Sequence, residues 1–428
     1  MRRFIALWLS ALLGLVGLVL TLTVSVDPFG ILDRPRMAGL NADKPAAADW
    51  PRLTKAYLVD AVRPTTIILG SSSADVGMNP DSASFPATAK PVFNLAIDGA
   101  NPGTLLRYMQ HAYARNTPNL ILLGVSFEDA IYFPPRRLSA ATKALFSFEQ
   151  RLRVGKDGKP NPDYAMARLA DMTFATLSIQ ALTDSVATVL RQSDPRDTYQ
   201  TRLGFNTGGR FLRWAQTEGP YALFMDKDRM KAPQLLRWSL HPMLDINPVG
   251  DMIRLAQSQG SRIIVFVVPN HVDEVEIQRQ TGIAPQVLAW KAALAAIVEQ
   301  AALPGQPVPL WDFTGFSRYT TEPLPGPGVT AAQMQWSWEP IHFKPALGDL
   351  MIQRMLTDGG PADLGAIITT ATLPERAAAF DAAQRDWVAA HPADVARIAA
   401  VVDGAAQVIC NTGIAGCKRP ETQATASR

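Results

Sequence analysis

Thr66-Ile67-Ile68-Leu69-Gly70-Ser71-Ser72-Ser73 is the stretch whose reading decides the fold. Residues 66–69 are apolar or β-branched without alternation, the pattern of a strand buried on both faces. The run stops at a glycine and opens into three serines, so a strand hands over to a turn that carries hydroxyls. Similar runs recur outward from it at 91–97, 120–125, 263–268 and 308–313, the fourth of the five strands being stopped by Pro269. Helical spacing precedes them at 53–62 and separates the second from the third at 102–116. Val287, Trp290, Leu294 and Ile297 mark one helix face. A last helix takes Pro345 into its first turn and is expected to bury Leu347, Leu350, Met351 and Met355. Strands alternating with helices predict an α/β domain at 51–358, a parallel sheet with helices on both faces.

Two stretches break the alternation. Residues 130–245 exceed any ordinary connection and read as an insertion with a helical pattern at 165–190. Residues 359–428 read as an Ala-rich extension with two amphipathic helices and a polar tail. The chain has 428 residues, 47% hydrophobic and 18% charged, with a net charge of +3, too near neutral for a nucleic-acid footprint. Its two cysteines, Cys410 and Cys417, match no zinc spacing, and a small disulfide loop is the expectation outside the cytoplasm. No metal or cofactor is implied.

Part of the apolar excess sits at the start. Met1-Arg2-Arg3 precedes a charge-free run from Phe4 to Val26, long enough to span a bilayer as a helix. The two arginines predict that the N-terminus stays inside and everything after Asp27 lies outside. A cleaved signal peptide is the rival, but the run exceeds a usual h-region and no A-x-A-like site follows it. Residues 1–28 then form the anchor, and 29–50 a polar, Pro-rich linker.

Serine hydroxyls need a base and an oxyanion hole before they act as nucleophiles. Glu339-Pro340-Ile341-His342-Phe343 supplies an acid three residues before a histidine, so the carboxylate can orient the ring while its other nitrogen serves a serine. A Ser-rich helix cap is the other reading of 71–73. His271 follows a strand end and suits a turn, and Asp312 is a reserve acid. Trp336 and Trp338 would wall an acceptor site or simply pack. Arg136, Arg137 and Lys143 fit a solvated basic face.

Asn94-Leu95-Ala96-Ile97-Asp98-Gly99 adds an asparagine with a glycine five positions on. With Gly70-Ser71-Ser72 and Glu339-x-x-His342, these segments resemble the SGNH hydrolase superfamily, whose sheet is flavodoxin-like. The resemblance is strongest to its membrane-anchored branch, which includes alginate O-acetyltransferases and the membrane protein of teichoic-acid D-alanylation. It extends over residues 1–357 and includes Asp27-Pro28-Phe29-Gly30 at the anchor's exit. It implies Ser72 as nucleophile, His342 as base, Glu339 as its acid, and Gly99 N–H at the oxyanion, with Asn94 in the same block. The chain departs from the family at Gly124-Val125-Ser126-Phe127, where an asparagine is usual; Asn101, or Ser126 more weakly, stands in. It also has Glu339 for the usual aspartate, and Ser73 where relatives of this branch often carry arginine.

The expected function is therefore a membrane-anchored acyltransferase, O-acetylating an envelope or exported polysaccharide on the outer side of a bacterial inner membrane. Its implied partners are an acyl donor, a polysaccharide acceptor and an acyl-transfer protein in the membrane. An esterase with the same residues, or a catalytically silent scaffold of a polysaccharide-assembly complex, are the alternatives.

Overall fold

The computed structural model describes residues 1–131, 148–240, 244–357 and 359–411. The chain divides into two compact units: Met1–Ile121 with Pro135–Arg213, and Leu122–Pro134 with Trp214–Arg428. The expected boundaries at residues 50 and 358 fall inside the first and the second unit; the stretch read as a linker belongs to the first, the one read as an extension to the second, and the insertion to both.

The first unit begins with α1 (Arg2–Val26), whose 25 residues are long and apolar enough to cross a bilayer. The helix ends where Asp27 turns left-handed at φ 47° and returns its N–H to Thr23 O. Buried Lys44 donates to the Val26 and Asp27 carbonyls at 2.9 and 2.6 Å. A cation there satisfies the carbonyl end of the helix and its dipole, although burial pushes the Lys44 pKa down to about 8. Phe29 stacks on Phe174 at 5.3 Å and joins Ile31, Leu53, Tyr57 and Ala175 in one core cluster. These contacts anchor Phe29, Ile31 and Lys44 of the 29–50 stretch in the first unit, while Arg34, Pro35, Met37, Ala38 and Gly39 between them stay exposed.

Two helices opened by proline follow, α2 (Pro45–Asp49) and α3 (Pro51–Val62). Then come β1 (Thr66–Leu69), α4 (Ser72–Gly77), β2 (Val92–Asn94), α5 (Pro102–Tyr113) and β3 (Leu120–Val125). β1 and β2 are parallel, with Thr66 opposite Val92 and Ile68 opposite Asn94. The expected strand 91–97 is shorter as a regular element, but Leu95 N–H to Ile68 O and Ile97 N–H to Gly70 O carry the pairing on. The helical run at 165–190 is two helices, α6 (Tyr164–Leu177) and α7 (Ile179–Leu190), because Ser178 turns extended and its hydroxyl caps α7 at Ala181 N–H. Both pack on α1. α8 (Gly209–Glu218) follows.

The second unit holds α9 (Pro220–Leu240), α10 (Asn247–Ser258), β4 (Arg262–Val267), α11 (Val272–Gln280), α12 (Ala284–Ala301) and β5 (Leu310–Asp312). A hairpin of β6 (Ser337–Glu339) and β7 (His342–Phe343) leads to α13 (Pro345–Leu356). Leu347, Met351 and Met355 are buried as expected, while Leu350 is only half-buried and Ile352 joins the core. β8 (Ala366–Ile367), α14 (Leu373–Ala390) and α15 (Pro392–Asn411) complete it. α15 packs on α9 and α11 through Ile398, Val402 and Ala406. Cys410 at its end is disulfide-bonded; Cys417 lies outside the described residues.

The strands form one mostly parallel six-stranded sheet in the order β2-β1-β3-β4-β5-β8, with β8 antiparallel to β5 at the edge. The first five follow the 2-1-3-4-5 order of flavodoxin-like sheets, whose order reverses between β1 and β3. Every residue of β1 and β3 is buried, which explains runs without alternation.

Candidate functional site

In the first unit, Ser71 is the N-cap of α4 and Ser72 its first residue. Ser71 and Ser73 are only 7% and 5% exposed, whereas Ser72 is half-buried. Of the three hydroxyls, Ser72 belongs to the residue most open to a ligand. Gly70 lies close to extended at φ 159°, and α4 starts two residues on at Ser72.

The neighbouring strand end is tied to this turn from below. Asn94 is fully buried, its amide donating to Ala74 O at 2.9 Å and Met78 O at 2.8 Å, while its oxygen accepts from Ala96 N–H. Asn94 thus clamps β2 to α4, and its polar atoms are spent on backbone instead of substrate. Gly99 is exposed, at φ 62°, in a turn closed by Ala100 N–H to Ile97 O, a position suited to glycine. Asn101 caps α5 with its side-chain oxygen on Thr104 N–H at 2.9 Å, which leaves the amide NH2 as its donor.

Beneath α4 lies an ion pair that sequence reading missed. Lys55 on α3 donates to Asp75 on α4 and to Ala96 O, both at 2.5 Å. Asn206 donates to the other Asp75 oxygen at 3.1 Å. Burial pushes the Asp75 carboxyl up and the Lys55 ammonium down. The only signal was a lysine inside a segment, 53–59, that is buried throughout.

In the second unit, the hairpin pairs Glu339 with His342 across a two-residue loop. Glu339 is fully buried, His342 is 4% exposed, and Glu339 Oε1 bonds His342 Nδ1. A carboxylate only accepts, so Nδ1 carries the proton and Nε2 is the basic nitrogen. Glu339 Oε2 takes Ile341 N–H at 3.2 Å, and Lys227 Nζ stands 3.9 Å from Oε1. Glutamate in place of aspartate therefore reaches the ring.

His271 caps α11, gives its backbone N–H to Pro340 O at 2.8 Å and bonds Glu322 O through Nε2. It holds the hairpin loop, the turn role expected of it. Asp273, next to it, shares Arg397 of α15 with Asp228 of α9, at 2.7 and 3.5 Å. One guanidinium faces two buried carboxylates, so burial, with Asp273 and Glu274 adding to it, pushes the Asp228 pKa up to about 9. Between the ordinary 3.8 and this value the folded protein keeps a proton that the unfolded chain has released, so stability falls as pH rises through that window. Asp228→Asn is expected to flatten this slope in urea titrations at pH 5, 7 and 9, with the largest gain over wild type at pH 9; parallel slopes would refute it.

Asp312 is not a spare acid: Lys291 bonds it at 2.7 Å and Thr314 occupies its other oxygen. Ser126 accepts from Asp129 N–H at 3.1 Å. Trp336 packs edge-on to Tyr319 at 5.1 Å, and Lys344 lies over Trp338 at 4.5 Å. Arg136, Arg137 and Lys143 lie outside the described residues. A cavity of about 590 Å3 beside Leu288, Phe313 and Phe380 includes none of the serine, glutamate or histidine positions considered above.

No family model, curated protein or solved structure matches the chain.

Proposed function

We propose that the protein is a membrane-anchored, SGNH-like serine acyltransferase that acts outside the inner membrane on an envelope or exported polysaccharide. The observation that carries this reading is the Glu339–His342 pair, a fully buried carboxylate locked on Nδ1 by a tight hairpin. Such a pair leaves Nε2 to act as a base toward a hydroxyl. Support also comes from Ser72, half-buried just past the carboxyl end of β1, where the strand order reverses and open α/β sheets bind ligands.

In the proposed reaction, Ser72 Oγ attacks the carbonyl carbon of an acyl ester while His342 Nε2 takes its proton. Collapse of the tetrahedral adduct breaks the donor C–O bond, and the departing oxygen takes that proton. A polysaccharide hydroxyl then gives its proton to Nε2 and attacks the acyl-serine, and Oγ leaves with the proton. The Gly99 and Ser72 N–H groups and the Asn101 amide would hold the oxyanion. The donor ester would come from a partner protein in the membrane, since acetyl-CoA is confined to the cytoplasm.

The test is labelling of the full-length protein by a serine-directed fluorophosphonate. Labelling of wild type that is lost in Ser72→Ala and His342→Ala supports the reading. No labelling of wild type favours the scaffold, the alternative to which the missing asparagine at Ser126 points. Water as sole acceptor, with label retained, favours an esterase.

A further inference from the structure

α6 and α7 each carry a stripe of apolar residues on the outside. On α6, Met166, Leu169 and Leu177 are exposed at spacings of three and eight, and on α7, Ile179, Val186 and Leu190 at seven and four. Each set is one helical stripe. Ile179 is 82% exposed and Leu190 79%, while Ala175, Ala181, Ser185 and Thr188 turn inward. A soluble surface helix has the opposite polarity.

The location of the stripes identifies what covers them. α1 is exposed through Leu18 and enters protein from Val19, where it packs on α6 and α7. Thr23 Oγ1 donates to Thr176 O at 2.8 Å, one residue before Leu177 and three before Ile179. Residues 2–18 rise roughly 26 Å, short of the ~30 Å hydrocarbon core. A bilayer spanned by α1 must therefore reach the last turns of the helix, which are the turns against which the Leu177–Ile179 corner packs.

We propose that α6 and α7 lie in the membrane interface, with both stripes inserted at the boundary between headgroups and acyl chains. The inference rests on α1 spanning the bilayer and is independent of the acyl chemistry.

The test uses the full chain in phosphatidylcholine/phosphatidylglycerol nanodiscs, with single nitroxide labels at Ile179→Cys and Leu190→Cys. Leu13→Cys on α1 and Lys159→Cys, on an exposed turn, are the controls. Accessibility to oxygen and to a water-soluble nickel chelate is read by electron paramagnetic resonance. The expected oxygen-to-chelate ratio at 179 and 190 lies between those at Leu13 and Lys159, below the mid-span value and severalfold above that at Lys159. Labels at 179 and 190 as water-exposed as Lys159, with Leu13 in lipid, overturn the inference and leave the anchor standing. Labels shielded from both reagents overturn it in favour of a protein cover. Leu13 in water overturns the anchor and the inference together.

Discussion

Ser72→Ala and His342→Ala are each expected to lower acyl transfer, or ester hydrolysis, by roughly 10,000-fold or more, about 5 kcal/mol of transition-state stabilisation. The two losses should be similar, and the double variant little worse than either, because nucleophile and base act in one step. Glu339→Gln should cost less, roughly 100-fold or more: a hairpin that still positions the ring survives, while stabilisation of the imidazolium is lost. The check is kcat/KM on a small acyl ester and acylation of polymer, with membrane levels matched. Dead Ser71→Ala or Ser73→Ala beside a normal Ser72→Ala would keep the turn and move the nucleophile. Wild-type rates in all three serine variants would end the enzymatic reading.

Lys55→Met is expected to destabilise the protein by about 3–5 kcal/mol, the usual cost of stranding one member of a buried ion pair. Lys55 and Asp75 are 0% and 3% exposed. Removing the ammonium leaves the carboxylate to the Asn206 amide among the described residues, and frees the Ala96 carbonyl from its cation. Lys55→Met combined with Asp75→Asn should recover most of the loss, since no buried charge is then left unpaired. Urea midpoints of the two single variants and the double variant decide the matter. A double variant as unstable as the sum of the singles would show that packing, and not the charge pair, sets the cost. Because Asp75 lies one helical turn after Ser71, the singles should also slow fluorophosphonate labelling at temperatures where the protein is still folded.

Much of the core was legible along the chain. Buried strand residues at 66–69, 120–125 and 263–267 leave apolar runs because both faces are covered. The Glu339–His342 contact was legible as well, since three residues across a tight hairpin bring the side chains together by local geometry alone. Asn94 was found for its spacing but not for its work, because hydrogen bonds to Ala74 and Met78 depend on how β2 meets α4.

What the amino-acid order determined by itself was local: an apolar N-terminal helix, alternating strands and helices, a serine turn after β1, and an acid placed to hold His342. These follow from periodicity and short-range spacing, which a linear reading contains. Only tertiary structure decided where the remote segments go. Lys44 closes the end of α1, Lys55 reaches Asp75, and Arg397 crosses from α15 to Asp228 and Asp273. Each of these joins a buried charge to a partner 17 to 169 residues away. Burial makes such pairing obligatory, because an unpaired charge in the interior is too costly to keep. Which partner satisfies it depends on how the chain comes together in space, and no spacing rule records that.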